Sequence, residues 1–273
     1  MPTIYAAMLE LDNRLEFQGI GTAGYDAFDN AATTARELLN RFARGPGDIK
    51  LFLAPEYTFA GREQGDAGGI NIQSLSRSDK HSLYTRLKRT SAANNGIVII
   101  AGSIAYSRKK WFKGTQHLAV CPVLLNGEFL LKYYKATFDG FQVGATEDSF
   151  TSKEKGQTFT VGGVNFGIEI CSDHRPDHRI LRNRMAGTQV DAHIIVSEGM
   201  APSPSSIAAR QQGLVINCDM SGRASGNGVR TVGQNRFGNI ALDAAARGRI
   251  DEAEAAQAMA NGAHIALYRG TLT

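Results

Sequence analysis

The chain has 273 residues, of which 42% are hydrophobic, and a formal net charge of +4. This length and composition are sufficient for a substantial buried core. No segment approaches the roughly 18 continuous apolar residues of a membrane-spanning helix, and the N-terminal residues lack the pattern of a secretory signal. The basic residues are dispersed, apart from a short cluster at Arg108, Lys109 and Lys110. We therefore expect neither a membrane nor a nucleic-acid partner.

The cysteine pattern indicates a reducing compartment. Cys121, Cys171 and Cys218 are widely separated, odd in number and not arranged as a CxxC pair. That spacing argues against a disulfide framework and against a structural zinc site. We therefore expect a cytoplasmic protein.

Hydrophobic periodicity predicts alternating strands and helices in the first part of the chain. The predicted strands are residues 4–11, 49–54 and 97–106, and the predicted helices are residues 25–44 and 79–94. A glycine-rich loop, residues 57–72, lies between the second strand and the second helix.

A glycine pattern at residues 19–24 formally matches the dinucleotide-binding sequence GxGxxG. The residues before it are too polar for a buried parallel strand, and no acidic residue ends the next strand at the expected spacing of about 20 residues. We therefore expect no dinucleotide cofactor.

Two hairpins dominate the middle of the chain. Asn126 and Gly127 predict the turn between strands at residues 116–125 and 128–134. An irregular stretch follows at residues 136–154, and residues 158–171 predict a second hairpin with glycines at its turn. The remaining predictions are helices at 177–186, 205–212 and 251–260, strands at 191–197 and 213–219, and short apolar segments at 239–244 and 263–268. This order predicts an α/β fold of mixed sheets covered by helices, with residues 1–273 forming one domain.

Three polar residues stand where predicted buried strands end: Glu56, Lys135 and Cys171. A thiolate can attack a carbonyl or nitrile carbon, and a neighbouring carboxylate can take the thiol proton and later activate water. A lysine ammonium can stabilise the oxyanion that forms. The three side chains therefore predict cysteine-dependent nucleophilic catalysis, provided that the fold brings them together.

Three segments resemble the characteristic motifs of the nitrilase superfamily of carbon–nitrogen hydrolases. Residues 51–57 (LFLAPEY) resemble its catalytic glutamate motif, residues 131–138 (LKYYKATF) its lysine motif and residues 167–175 (GIEICSDHR) its nucleophile motif. The lysine role falls on Lys135 rather than on Lys132. The resemblance extends over roughly residues 4–222, beyond which the usual family ending is hard to recognise.

The resemblance implies a four-layer αββα sandwich of two mixed sheets flanked by helices, usually in a homodimer or larger homo-oligomer without a metal or organic cofactor. It implies a Glu-Lys-Cys triad that acts through an acyl-enzyme intermediate. It also implies a second active-site glutamate, for which Glu147 is the better placement and Glu154 the poorer one. The backbone amide of Ser172 would be a second oxyanion donor.

The residues around the nucleophile favour one substrate class. Cys171 is followed by Ser172 and Asp173 instead of the Trp-Glu pair typical of nitrile-cleaving members of the family. We therefore expect a small-molecule amide or carbamoyl substrate. Nitrile hydrolysis, and a non-catalytic relative that binds small molecules or proteins, are the alternatives.

Four side chains near the strand ends are candidate substrate contacts. Tyr57 follows the catalytic glutamate, and Glu198 ends the strand at 191–197. His174 and Arg175 could bind an acidic substrate group, although an arginine there more often pairs with a buried carboxylate.

A metal site near the nucleophile is a further interpretation of the same segment. Cys171, Asp173, His174 and His178 all have metal-ligand chemistry. Pro176 interrupts any helical face that would align them, and no second cluster supports the site. We therefore expect no metal.

Overall fold

The computed structural model describes residues 1–11, 21–64, 70–111, 114–153, 156–220, 226–234, 240–242, 248–250, 256–259 and 263–273. In chain order the strands are β1 (Thr3–Leu11), β2 (Ile49–Leu53), β3 (Gly61–Gln64), β4 (Ile70–Gln73), β5 (Val98–Ile100), β6 (Ile104–Lys110), β7 (Gly114–Leu125), β8 (Glu128–Tyr134), β9 (Thr158–Val161), β10 (Val164–Ile170), β11 (Val190–Ser197), β12 (Ala209–Asp219), β13 (Gly228–Gln234), β14 (Ile240–Leu242), β15 (Ala256–Ala258) and β16 (Ala263–Thr271). The α-helices are α1 (Gly21–Phe42), α2 (Arg77–Ala93) and α3 (Ile180–Arg184).

The described strands form two large mixed sheets. The first has the order β15-β16-β1-β2-β5-β7-β6, with β8 also paired to β7, and the second has the order β14-β13-β12-β11-β10-β9. The parallel pairs are β1 with β2, β2 with β5, β10 with β11 and β11 with β12. Because these parallel strands run at the centre of each sheet, their carboxyl ends gather at shared edges.

Alternation of side chains along β1 shows how the layers are stacked. Ala7 and Leu9 pack in a cluster with α1 and α2, whereas Ala6 and Met8 pack in a second cluster with residues of β10, β11 and β12. A strand with two buried faces must be covered on both sides. The first sheet is therefore sandwiched between helices and the second sheet, which confirms the predicted αββα order.

Short helical segments cover the outer face of the second sheet. Leu181 of α3 and Ile207, which follows the 3₁₀ turn Pro204–Ser206, pack there with Val190 and Ile195 of β11. In place of the helix predicted at 177–186, the structure has only the short helix α3. The residue before α3, Arg179, is in the left-handed conformation, with φ of 48°.

Two other predicted helices are wrong in the described residues. In place of the helix at 205–212 there is a 3₁₀ turn, and β12 begins already at Ala209, which pairs with Val190. Gln257, predicted to be helical, lies in β15 opposite Ile265 of β16, and residues 251–255 and 260 lie outside the described residues. In both places pairing with a neighbouring strand outweighs local helix propensity.

The predicted strand at 97–106 is divided into β5 and β6, and the break brings the chain close to the end of β2. Gly102 lies at the break with φ of 72°, and a Cβ there would stand 2.1 Å from the carbonyl oxygen of Pro55. The break therefore lets the chain pass directly beside the end of β2. The glycine-rich segment 57–72 also differs from expectation, because β3 and β4 form a small antiparallel sheet within and just after it.

The glycine pattern at 19–24 lies partly outside the described residues, and residues 21–24 form the first turn of α1. Among the helices in the described part of the chain, none has both the length and the apolar character needed to cross a membrane.

Candidate active site

Glu56, Lys135 and Cys171 lie together at the ends of β2, β8 and β10. The Lys135 Nζ donates a hydrogen bond of 2.7 Å to Glu56 Oε1, and the Cys171 thiol lies close enough for the charge of the same carboxylate to raise its pKa. Glu56 is 0% exposed, Lys135 1% and Cys171 6%. The fold thus brings a thiol, a carboxylate and an ammonium into one buried cluster.

Backbone contacts join the elements that carry these side chains. The Glu56 N–H donates to the carbonyl of Ser197 at the end of β11, over 3.3 Å, which ties the first sheet to the second. The Lys135 N–H donates to the carbonyl of Ala119 in β7, over 3.0 Å. These bonds hold both chain segments where the regular strands have already ended.

Cys171 lies on a strained turn. Its φ of 42° is in the left-handed region, and it begins the 3₁₀ turn Cys171–His174. A non-glycine residue in this region costs about 1–3 kcal/mol and persists where the surroundings over-determine it. Such a turn lifts a thiol out of the sheet and towards the groups beside it.

Asp173 anchors that turn to the lysine segment. It accepts hydrogen bonds from the Tyr133 hydroxyl at 2.6 Å, from the Ala136 N–H at 3.1 Å and from the Thr137 N–H at 2.9 Å. Because these donors flank Lys135, one buried carboxylate sets the distance between the nucleophile turn and the ammonium.

Asp139 is a site residue that sequence reasoning missed. Its carboxylate contacts Lys135 Nζ, and its Oδ2 accepts a 2.6 Å hydrogen bond from the Tyr57 hydroxyl. In the sequence, Asp139 is indicated only by its position four residues after Lys135, because the surrounding stretch has no hydrophobic periodicity. Lys135 therefore lies between two carboxylates, Glu56 and Asp139.

Burial and the charge of the shared ammonium together shift the pKa values of the two carboxylates. Burial would raise the pKa of Asp139, but the charge of Lys135 and the Tyr57 hydroxyl outweigh it and lower that pKa. Burial raises the pKa of Glu56 to about 8, and the charge of Asp139 adds to the rise while Lys135 opposes it. Burial would lower the pKa of Lys135, yet Glu56, Tyr57 and Asp139 together raise it.

The surroundings of Cys171 disfavour the ionised form of its thiol. Burial raises the pKa of Cys171, and the negative charge of Glu56 raises it further. Glu56 Oε2, among the described residues, is buried without a well-aligned hydrogen bond. The cluster is therefore arranged as a thiol next to a carboxylate with a free acceptor oxygen and an increased proton affinity.

Solved structures of similar fold include Nit3 from Saccharomyces cerevisiae, a member of branch 10 of the nitrilase superfamily, at 16% identity and a TM-score of 0.54 over 98% of this chain and 89% of that one. A carbon–nitrogen hydrolase from Helicobacter pylori G27 matches at 14% identity and 0.53, over 98% and 88%. This chain has the nitrilase-superfamily fold. A mutant amidase from Nesterenkonia sp. AN1, with the acetamide moiety of fluoroacetamide added covalently at its active-site cysteine, matches at 13% and 0.53, over 98% and 89%. No protein-family model matches the sequence, and no curated protein matches it significantly.

The other predicted catalytic carboxylate, Glu147, differs in burial from the cluster. Glu147 is exposed, in a segment folded by hydrogen bonds between Thr146 and Ser149. Glu154, the poorer placement, lies outside the described residues. The acidic side chain that contacts Lys135 is Asp139.

The predicted substrate contacts lie in different surroundings. Tyr57 is buried, with its hydroxyl bonded to Asp139, and Ser172 Oγ is 2.6 Å from the hydroxyl of Thr137. Glu198 is partly buried, and its backbone carbonyl is 3.9 Å from Cys171 Sγ. Ser172 and Glu198 thus border the thiol, the latter through its main chain.

The side chains of His174 and Arg175 contact groups other than the thiol. Arg175 is 54% exposed in its side chain and faces the exposed Asp177 at 3.3 Å, so its expected pairing with a buried carboxylate is wrong. His174 is fully buried, with one ring nitrogen against Glu169 and the other accepting the Ser203 N–H. Neither imidazole nitrogen is available to a substrate in this arrangement.

One group of described side chains has the composition of a metal site, and it differs from the set considered in the sequence. Glu169, His174 and His193 are buried, and their potential ligand atoms lie within 4.8 Å of one another. The group lies behind the nucleophile turn instead of beside the thiol.

Proposed function

We propose that this protein is a cysteine-dependent hydrolase of a non-peptide carbon–nitrogen bond in an amide or carbamoyl group. The observation that carries the proposal is the buried 2.7 Å ion pair of Lys135 with Glu56 beside the buried thiol of Cys171. The covalent adduct on the active-site cysteine of the Nesterenkonia amidase supports it by fold-level analogy.

Glu56 is the proposed general base. As Cys171 Sγ attacks the carbonyl carbon, its proton passes to Glu56, and the oxyanion is stabilised by Lys135 Nζ and the Ser172 backbone N–H. Glu56 then returns the proton to the departing nitrogen, which leaves a thioester on Cys171. Water, deprotonated by Glu56, attacks the thioester and releases the acid and the free thiol. A carboxyl group with a raised pKa suits both proton transfers near neutral pH.

A substrate panel with mass analysis tests this proposal. Primary amides, carbamoyl amino acids and nitriles are incubated with the protein, ammonia release is measured, and quenched samples are analysed by intact mass and peptide mapping. We expect turnover of at least one amide or carbamoyl compound and an acyl adduct on the peptide that contains Cys171. An adduct confined to Cys121 or Cys218 would contradict the assignment, and nitriles as the preferred substrates would contradict the substrate class.

We propose Asp139 as the second acidic residue of the site. In the unaltered protein, Asp139 and Glu56 share the ammonium of Lys135. Asp139→Asn removes the negative charge of Asp139, so the pKa of Glu56 should fall. We expect the rise of kcat/KM with pH to move to lower pH and kcat to decrease by about 10–100-fold. The pH–rate profile of Glu147→Gln discriminates between the candidates, because a shift in that variant instead would assign the role to Glu147.

We further propose that the protein acts in the cytoplasm as a homodimer or larger homo-oligomer, with residues 1–273 as one hydrolase domain. The proposed chemistry needs no cofactor, because base, nucleophile and positive charge come from side chains. Light scattering coupled to gel filtration tests the oligomeric state, and a monomeric mass at micromolar concentration would contradict it.

A further inference from the structure

A buried polar cluster lies behind the nucleophile turn, on the outer face of the second sheet. Glu169 precedes Cys171 by two residues on β10, His174 ends the 3₁₀ turn, and His193 lies on β11. All three side chains are 0% exposed. Glu169 Oε2 is 2.8 Å from His174 Nδ1 and 3.0 Å from His193 Nε2.

Backbone donors determine where the imidazole protons lie. The Ser203 N–H donates to His174 Nε2 at 2.9 Å, so the hydrogen of a neutral ring is on Nδ1, which faces Glu169. The Ala208 N–H donates to His193 Nδ1 at 3.3 Å, so the hydrogen of that ring is on Nε2. The Nε2 contact with Glu169 is short but poorly aligned. These tautomers are inferred from the hydrogen-bond partners.

Glu169 therefore accepts hydrogen bonds without donating any. Besides the two rings, its Oε1 accepts the Leu181 N–H at the start of α3, at 2.5 Å. Burial would raise the pKa of Glu169, but the bonds from His174 and His193 outweigh it and lower that pKa to about 2. A metal ion between the three residues would need the lone pairs of ring nitrogens that carry hydrogens here, so the arrangement is that of a hydrogen-bond cluster.

The cluster holds the nucleophile turn from the side opposite Asp173. Asp173 ties the turn to the lysine segment, and His174 ties the same turn to Glu169 and, through Ser203, to the loop that follows Glu198. The left-handed conformation of Cys171 needs such restraints to persist.

We propose that His174 is a positioning residue whose bond to Glu169 keeps the strained turn in the conformation that presents Cys171 to Glu56. His193 lies on β11, with its Nε2 3.0 Å from the same carboxylate and its ring edge-on to the ring of His174, so it reaches the turn only through the His174 ring and Glu169. The inference rests on the proposed function, since it assigns His174 a part in that reaction.

His174→Asn and His193→Gln form a matched pair that tests this inference. Each variant keeps an N–H donor near the ring nitrogen that faces Glu169, and each removes the acceptor of one backbone N–H, from Ser203 or from Ala208. Both sites are equally buried, so similar losses in Tm are expected. The readouts are the rate constant for alkylation of Cys171 by iodoacetamide, with kcat and KM for the best amide substrate.

We expect His174→Asn to slow alkylation and kcat by about tenfold or more, with KM nearly unchanged, because small displacements of a reacting atom are costly. His193→Gln should change both rates by less than about threefold. Equal slowing in the two variants, or none in either, would overturn the inference. One equivalent of zinc bound by the unaltered protein, and lost in both variants, would also overturn it.

Two combinations of results distinguish a failure of this inference from a failure of the proposed function. If no panel compound is turned over but alkylation is slowed selectively in His174→Asn, positioning stands and the proposed hydrolase activity fails. If amides are turned over and both variants lose kcat equally, the activity stands and positioning fails. Should His174→Asn not fold, His174→Gln, which also retains an N–H donor, replaces it against the same control.

Discussion

Replacing Cys171 with alanine is expected to lower kcat for amide turnover by at least about 10³-fold, because no other group in the cluster can form the thioester. The thiol lies on a strained turn at the end of β10, and the neighbouring Asp173 makes the hydrogen bonds that hold this turn. Cys171→Ala should therefore retain its fold and a Tm close to that of the unaltered protein. Steady-state kinetics and thermal unfolding check the two expectations.

Cys218→Ala is the matched control for this substitution. Cys218 is also a buried free cysteine at the end of a strand, and its thiol faces the backbone carbonyl of Leu53 at 3.7 Å. We expect its removal to leave kcat within about threefold, since a thiol that forms no bond to the substrate contributes no covalent step. Turnover that survives in Cys171→Ala but disappears in Cys218→Ala would move the nucleophile to the other strand.

Replacing Glu56 with glutamine is expected to decrease turnover and to increase stability at alkaline pH. The loss of the general base should lower kcat by about 10²–10⁴-fold. Lys135 keeps a carboxylate partner in the variant, because it also contacts Asp139. The ammonium is therefore not left as an unpaired buried charge, which would be strongly destabilising.

The stability effect follows from the direction of the pKa shift. Burial raises the pKa of Glu56 to about 8 in the folded protein, whereas an unfolded glutamate titrates near about 4.3. The contribution of Glu56 to stability is fully present below the unfolded pKa and is lost as pH rises through the folded pKa. Glutamine does not ionise, so Tm of the variant minus Tm of the unaltered protein should increase from about pH 5 to about pH 9.

Glu37→Gln provides the control for the pH dependence. Glu37 is an exposed carboxylate on α1, remote in the sequence from the three catalytic motifs. Its substitution measures, at each pH, the change in Tm that replacing an exposed carboxylate with an amide produces, and that change is the baseline for Glu56→Gln. A Tm difference for Glu56→Gln that decreases with pH would mean that the folded protein favours the ionised carboxylate, contrary to the base proposed here.

The central residues of the candidate site were predictable because they interrupt strong patterns. Glu56 and Cys171 each follow an uninterrupted buried strand, and Lys135 follows a hairpin whose turn is marked by Asn126 and Gly127. Buried strands have little freedom in where they lie, so the residue at their end has a defined position. Proximity of the three was a hypothesis from sequence, and the sheet topology supplies it.

Asp139 and His174 show where such reasoning stops. Asp139 belongs to an irregular stretch, and its contact with Lys135 depends on how that stretch folds back over the end of β8. His174 is close to the nucleophile in sequence, yet the 3₁₀ turn directs its ring behind the sheet, towards Glu169. Distance along the chain did not indicate on which side of the turn the ring would lie.

The sequence by itself determined an α/β fold of mixed sheets covered by helices and the three strand-end residues, because hydrophobic periodicity and abrupt strand ends are local properties. Only the tertiary structure decided that residues 205–212 and 256–258 are not α-helical, since pairing with β11 and β16 outweighs local propensity. The tertiary structure also decided that Asp139 shares the ammonium of Lys135 with Glu56. That sharing depends on distances between segments far apart in the chain, and the charge of Asp139 adds to the rise in the pKa of Glu56 that burial causes.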